Sequence, residues 1–322
     1  MIHTLQLYRG TGYDPYENLA VEQALCETVE AGTCILYLWQ NQNTVVIGRN
    51  QNAWKECKID LLAAEGGKLA RRLSGGGAVY HDLGNLNFTF LLPSEEYDAG
   101  RQFAVIQNAC ASCGIETELS GRNDLLADGR KFSGSAFYHH DGRSYHHGTL
   151  LVHADTERMG RYLQPSVAKL QGKGVDSVRA RVVNLCDLQP DLSVKALSEA
   201  LEAAFGEVYH GLPEGIALND RQKELTVQYT IRNRSWEWNC GQRMPFQATF
   251  QKRFPWGGIE ISFAIQNGVI QQMQVNTDAM EHTLSDQVQR CLIGLQFDSK
   301  TLANAVQNAD LPHAGDIASL FM

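Results

Sequence analysis

Residues 70–90, Ala-Arg-Arg-Leu-Ser-Gly-Gly-Gly-Ala-Val-Tyr-His-Asp-Leu-Gly-Asn-Leu-Asn-Phe-Thr-Phe, run two arginines into three consecutive glycines and the glycines into a strand. Gly75, Gly76 and Gly77 lack a Cβ, so the backbone there can take positive φ and bring bare N–H groups close to a ligand. Arg71 and Arg72 add cationic charge at the same place. Amide donors beside guanidinium groups suit an anionic acceptor, so Arg72, Ser74 and the glycines are expected to hold a nucleotide phosphate. Neither common phosphate loop fits: Gly-x-x-x-x-Gly-Lys-Ser/Thr is absent, and Ala78-Val79-Tyr80 reads as strand where a dinucleotide fingerprint would open a helix. A flexible hairpin loop with incidental arginines is the alternative that the pattern alone leaves open.

The rest of the chain bounds what can surround such a loop. Its 322 residues are long for one core and comfortable for two domains. A net charge of −8 argues against nucleic acid or a polybasic membrane contact as the partner. The strongly apolar runs, such as Cys34 to Trp39, are too short to span a bilayer, and Met1 to Arg9 shows no export signal. Eight scattered cysteines suit reduced thiols, so the expected compartment is the cytoplasm.

Asp14-Pro15-Tyr16-Glu17 carries the signals of a helix start, and Leu19, Val21, Ala24, Leu25 and Thr28 follow at helical spacing. Cys34 to Trp39 and Thr44 to Ile47 read as two strands of a hairpin. Leu86, Phe88 and Phe90 alternate with Asn87 and Thr89, the period of a strand with one buried face. Lys131 to His140 and Ser144 to Val152 read as strands joined at Asp141-Gly142, and Arg101 to Cys113 and Val194 to Phe205 as helices. These elements predict an α+β fold, mostly antiparallel sheet flanked by helices. A boundary is expected within Arg232 to Pro255, giving a large domain over 1–245 and a small C-terminal α+β domain over 246–322.

A second chemical stretch runs from Gly121-Arg122-Asn123-Asp124 through Arg130-Lys131-Phe132-Ser133-Gly134-Ser135-Ala136. Small residues near Lys131 leave room for a substrate against its ammonium, a point charge able to meet a carboxylate and the phosphate it attacks. Asp124, with Asn123 beside it, is the candidate for Mg²⁺. A surface hairpin with a solvated lysine is the competing reading.

Taken together, Ser74 to Asn85 (Ser-Gly-Gly-Gly-Ala-Val-Tyr-His-Asp-Leu-Gly-Asn), Gly121 to Leu125, Arg130 to Ala136 and His146 to Leu151 (His-His-Gly-Thr-Leu-Leu) resemble lipoate–protein ligase. Tyr13 to Ala20, Thr44 to Arg49, Ser177 to Leu185, Ser235 to Asn239 and Trp256 to Gly258 extend the likeness over residues 1–265. The resemblance implies that lipoate and Mg·ATP give lipoyl adenylate and pyrophosphate. The lipoyl group then passes to a lysine of a lipoyl domain, on a 2-oxoacid dehydrogenase E2 subunit or the glycine-cleavage H protein. It further implies nucleotide contacts from Arg72 and Gly77-Ala78-Val79-Tyr80, contact of Lys131 with both acyl group and phosphate, and a loop over Gly172 to Arg181 that closes on the adenylate.

Arg158, Arg161, Lys169, Lys173, Arg179 and Arg181 form a basic segment against Asp176 alone, suited to gripping adenylate phosphate or meeting an acidic acceptor domain. Arg179 and Arg181, within the matched sequence, are the expected phosphate contacts, while a solvated face is an equal reading of Arg158 and Arg161. Leu73, Val79, Tyr37 and His147 are the expected lining of an apolar lipoyl slot. The Cys110/Cys113 pair lacks partners for a zinc site, so no bound zinc is expected. His139 and His146 would face each other if the hairpin turned at Gly142-Arg143. The chain is expected to act as a monomer. Two rivals are an octanoyltransferase that takes its acyl group from a carrier protein through a cysteine thioester, and a module that binds lipoate or its adenylate without using ATP. The first lacks a cysteine between Gly148 and Leu185; the second sits poorly with intact Arg72, Asp124 and Lys131.

Overall fold

The computed structural model describes residues 1–121, 123–164, 182–240 and 248–322. Its strands are β1 (Thr4–Arg9), β2 (Thr33–Trp39), β3 (Thr44–Ile47), β4 (Lys68–Arg71), β5 (Val79–His81), β6 (Asn85–Pro93), β7 (Glu118–Ser120), β8 (Asp124–Ala127), β9 (Arg130–His140), β10 (Arg143–Leu151), β11 (Glu214–Gly215), β12 (Ala248–Phe254), β13 (Gly257–Gln266) and β14 (Val269–Thr277). Eight of them form a mixed sheet in the order β11-β1-β2-β6-β10-β9-β8-β7, and β4-β3-β5 form a smaller one. The fold is α+β, with antiparallel pairing from β2 through β7 and helices against the sheet.

Strand periodicity decides what each face of the large sheet meets. Cys34, Leu36 and Leu38 of β2 and Leu86, Phe88, Phe90 and Leu92 of β6 point into a core closed by the helices Ala99–Ser112 and Val194–Tyr209. The alternate residues Ile35, Tyr37 and Trp39 point the other way, toward the helix Pro15–Thr28 and the small sheet. That helix starts as its sequence dictates: the Asp14 side chain accepts from the Tyr16 amide and Pro15 takes the first turn, where its missing N–H costs nothing.

Two expectations change, and the Asp141-Gly142 turn holds. β2 and β3 do not form a hairpin, because β3 pairs with β4 and β5 in the small sheet. The segment Gln40–Asn43 carries the chain between layers, with Asn43 at φ 43° and Asn41 buried. β6 is buried along its whole length, so its polar residues face an interior polar network and not solvent. The β9–β10 turn is Asp141-Gly142, both at positive φ as a two-residue hairpin loop requires. His139 therefore lies opposite Ser144 and His146 opposite Phe137.

Residues from Ala248 onward build their own core. The antiparallel sheet β12-β13-β14 packs Ile259, Ile261, Phe263, Met273 and Val275 against the helices Leu284–Leu292, Ser299–Gln307 and Ala314–Ala318. The expected junction near residue 245 falls on 241–247, outside the described residues. This small domain rests on the glycine loop: the Gly76 amide donates to Ala279 O at 2.9 Å, the Thr277 amide to Asn50 O at 2.7 Å, and Asn50 Nδ2 to His282 O at 2.8 Å. Lys55 pairs with Glu260 across the same contact.

Candidate active site

One row of residues crosses the large sheet: Trp39 on β2 lies opposite Asn87 on β6, Asn87 opposite Thr149 on β10, Thr149 opposite Gly134 on β9, and Gly134 opposite Asp124 on β8. With strands about 4.8 Å apart, this transverse row is long enough to underlie an extended acyl chain. A cavity of about 250 Å³ follows it, roofed by Val46, Val79, Ala78 and the glycine loop, with Leu19 and Ala136 as further apolar walls. Lys131 and Asn123 stand at one end, Trp39 and His81 at the other.

Lys131 Nζ donates to Asp124 Oδ1 at 2.7 Å, and both side chains are about one-third exposed. Gly134 makes this corner possible, since a Cβ there would lie 2.8 Å from Nζ. Asn123 is fixed by two bonds to Ser135, its amide side chain donating to Ser135 O at 2.9 Å and its carbonyl accepting from Ser135 N at 2.8 Å. The ammonium thus sits at the mouth of an apolar slot with one adjustable partner, free to exchange it for an incoming anion.

The two arginines behave differently. Arg72 is buried, and its guanidinium donates to Ser74 Oγ at 3.0 Å, to Gly75 O at 2.6 Å, to Gly77 O at 2.8 Å and to Val46 O at 3.3 Å. Burial pulls its pKa down to about 10, while the nearby Glu22 favours the charged form. Arg71 spends its donors on the carbonyls of Gly48, Arg49, Gln51, Trp238 and Asn239. Arg72 therefore holds the glycine loop in shape and Arg71 ties the segment Gly48–Gln51 to Trp238 and Asn239, while Arg72 also reaches the cavity as a wall with its donors committed. Gly75 is a packing requirement, because a Cβ would meet the Ala279 and Met280 carbonyl oxygens at 2.4 Å; Gly76 takes φ +86°. The expectation of bare amides needs amending at Gly76, whose N–H is taken by Ala279.

Beneath the slot lies a polar network that the sequence did not announce. Glu22, buried on the helix Pro15–Thr28, accepts through Oε1 from Thr89 at 2.7 Å and bonds His147 Nδ1 at 2.8 Å; His147 Nε2 lies 2.7 Å from Ser74 Oγ. Trp39 Nε1 donates to Thr89 Oγ1 at 3.1 Å. Glu22 sits among Leu19, Val21, Ala24 and Leu25, and a carboxylate in so apolar a helix face was the available signal.

Of the expected site residues, Lys131, Asn123, Arg72, Gly76, Gly77, Ala78, Val79 and His147 line the cavity, and Asp124 touches it through Lys131. Leu73 does not line it. Tyr37 is fully buried and bonded to Asn18, and Tyr80 points to the opposite face of β5, its hydroxyl on Asn43. Ser74 acts from behind the loop, joining Arg72 to His147. Arg179, Arg181 and the loop Gly172 to Arg181 lie outside the described residues. Burial in the core pushes the Cys110 thiol up to about 12, and among the described residues no group of three His, Cys, Asp or Glu side chains could hold a metal ion.

A family profile described as the lipoyl protein ligase A/B catalytic domain matches residues 14–206, and one described as the bacterial lipoate protein ligase C-terminus matches residues 243–318. The chain is 41% identical over 302 residues to a lipoate-protein ligase A of Psychrobacter cryohalolentis, covering 91% of this chain and 89% of that one. Among solved structures, P. falciparum LipL1 in complex with lipoate matches with a TM-score of 0.86 at 27% identity, covering 98% of both chains. A lipoate-protein ligase A bound with ATP matches with a TM-score of 0.65 at 28% identity, covering 75% of this chain and 99% of that one. With its glycine loop, lysine corner and transverse slot in one cavity, and with these relatives, the chain belongs to the lipoate–protein ligase family.

Proposed function

We propose that this enzyme activates free lipoate with Mg·ATP as lipoyl adenylate and transfers the lipoyl group to a lysine of a lipoyl domain, on an E2 subunit or an H protein. The observation that carries this reading is the run of the cavity, an apolar slot across the sheet that ends at Lys131 beside the glycine loop. The lipoate held by P. falciparum LipL1 and the ATP held by the related ligase A support the two substrates.

In the first step the lipoate carboxylate attacks the α-phosphate, forming the acyl–phosphate bond and expelling pyrophosphate. Lys131 leaves Asp124 to sit between carboxylate and α-phosphate, where its charge offsets the negative charge that gathers as the two anions meet. The glycine loop supplies amides to the phosphate once Ala279 releases Gly76. Asp124, one-third exposed at the same mouth, suits a Mg²⁺ carried in on the nucleotide phosphates, with Asn123 beside it; the ion would add charge neutralisation there. In the second step the acceptor amine attacks the acyl carbon, AMP leaves, and the amine proton passes to solvent or the departing phosphate. Among the described residues no cysteine lines the cavity, so a thioester route has no nucleophile at hand.

Intact-mass analysis of an apo lipoyl domain after incubation with this protein tests the reading. One lipoyl group added only with lipoate and Mg·ATP together is the expected result. Modification from octanoyl carrier protein without ATP, or no modification with tight lipoate binding, would overturn it.

A further inference from the structure

Beside Trp39 in the cavity wall, His81 is one-sidedly bonded. Its Nδ1 lies 3.0 Å from Asn41 Nδ2, while its Nε2 is buried without a partner among the described residues, on a ring that lines the cavity. The ring packs edge-on against Trp39, with centroids 6.1 Å apart, at the far end of the row from Lys131.

Which nitrogen carries the proton follows from the chain of groups behind the ring. Asn18 Nδ2 faces three oxygens, Gly12 O at 3.2 Å, Gln40 O at 2.8 Å and Asn41 Oδ1 at 2.9 Å; two are backbone carbonyls, which only accept. Tyr37 OH donates to Asn18 Oδ1 at 3.2 Å. The Asn18 amide is therefore fixed, and Asn41 must present its carbonyl oxygen to Asn18 and its NH₂ to His81. A histidine nitrogen that receives an NH₂ is an acceptor, so in the neutral ring the hydrogen sits on Nε2. Asn18, Tyr37, Asn41 and His81 are all buried, at 3%, 0%, 0% and 3% exposure, so solvent does not scramble the arrangement. Burial, aided by the neighbouring Arg72 guanidinium, lowers the His81 pKa to about 3 and keeps the ring neutral at working pH.

We propose that the Asn18–Asn41 relay locks His81 as an Nε2–H donor at the end of the acyl slot, where it favours a tail bearing a sulfur acceptor over a plain alkyl tail. This rests on the lipoate reading above and names what the slot selects. The dithiolane sulfurs of lipoate are weak acceptors, able to satisfy the N–H; octanoate has none, and binding it leaves a desolvated donor unpaired. His81 and Asn41 thus contribute discrimination between two acids of similar length, not the chemistry at Lys131.

Two measurements on the full chain test the idea. In the first, ¹⁵N-histidine-labelled protein is examined by long-range ¹H–¹⁵N correlation, with His81→Phe assigning the signal. The expected pattern is a neutral ring protonated at Nε2 from pH 5.5 to 8, and a ring protonated at Nδ1 or a mixture of tautomers would overturn the relay. In the second, kcat/KM for lipoate is divided by that for octanoate. His81→Phe keeps an aromatic ring of similar size without the donor and should lower this ratio about fivefold or more, a loss taken mainly from lipoate. Asn41→Leu, which frees the tautomer, should lower it in the same direction by a smaller factor. An unchanged ratio in a folded His81→Phe protein would sink the proposal. A wild-type protein that ligates neither acid while its ring shows the Nε2–H pattern would instead remove the lipoate reading and leave the relay standing.

Discussion

The arginine–glycine loop and the lysine corner are both cationic and both border the same cavity, yet they are built in opposite ways. Arg71 is enclosed by carbonyls of Gly48–Gln51, Trp238 and Asn239, Arg72 by carbonyls of the glycine loop, and Arg72 is linked through Ser74 to His147 and Glu22. Lys131 is about one-third exposed and holds a single carboxylate. A buried guanidinium satisfied on most of its donors cannot change partners without dismantling its surroundings. An ammonium on a flexible stem can. The comparison teaches that a basic motif can report scaffold and chemistry at once, and that the count of hydrogen bonds already made separates the two.

The largest effect expected on that contrast comes from Arg72→Ala. It leaves the Gly75 and Gly77 carbonyls unpaired and Glu22 without its neighbouring cation, and should cost about 3–5 kcal/mol in urea unfolding. An unfolding midpoint equal to wild type would mean that Arg72 is free for ligand and not structural. Next is Gly134→Ala, whose methyl would press on Lys131 Nζ. Because the obstructed atom ends a flexible side chain, the fold should survive while kcat/KM for adenylate formation drops roughly ten- to a hundredfold; steady-state kinetics beside a melting curve would separate the two effects.

A smaller effect concerns pH. Burial lowers the pKa of His81 to about 3 and that of His282 to about 4, in the second case aided by His139, His140 and Arg49. Both side chains are therefore neutral in the fold but take up protons when unfolded below about pH 6.5. Their contribution is full above the unfolded value, falls as pH drops from about 6.5, and stops falling near the folded values. Urea midpoints between pH 7 and 5 should decline, and His81→Phe should flatten the slope by up to about one proton. A slope unaltered by that substitution would show that His81 titrates normally.

Much of this site was legible because its signals are local. Asp14-Pro15 starts a helix, Asp141-Gly142 turns a hairpin, and the run from Ser74 to Tyr80 brings glycines and strand together within a few residues. What stayed hidden depends on layers meeting. β2 and β3 look like a hairpin because they are adjacent in sequence, yet each is an inner strand of a different sheet. Asn87 and Thr89 look solvent-facing because they are polar, yet Asn87 lines the cavity and Thr89 is fully buried, and Trp39 and Glu22 satisfy them. Leu73 looks like slot lining because it adjoins the glycines, yet it is not among the residues that line the cavity. The short helices Ser299–Gln307 and Ala314–Ala318 also went unread, being brief amphipathic segments whose apolar faces gain meaning only against β13 and β14.

The most direct test of the division of labour is pyrophosphate release from Mg·ATP and lipoate, without acceptor, by Lys131→Met protein checked for an unchanged melting temperature. A folded protein that releases no pyrophosphate above background is the predicted result. Release at the wild-type rate would contradict it and return the chemistry to the loop.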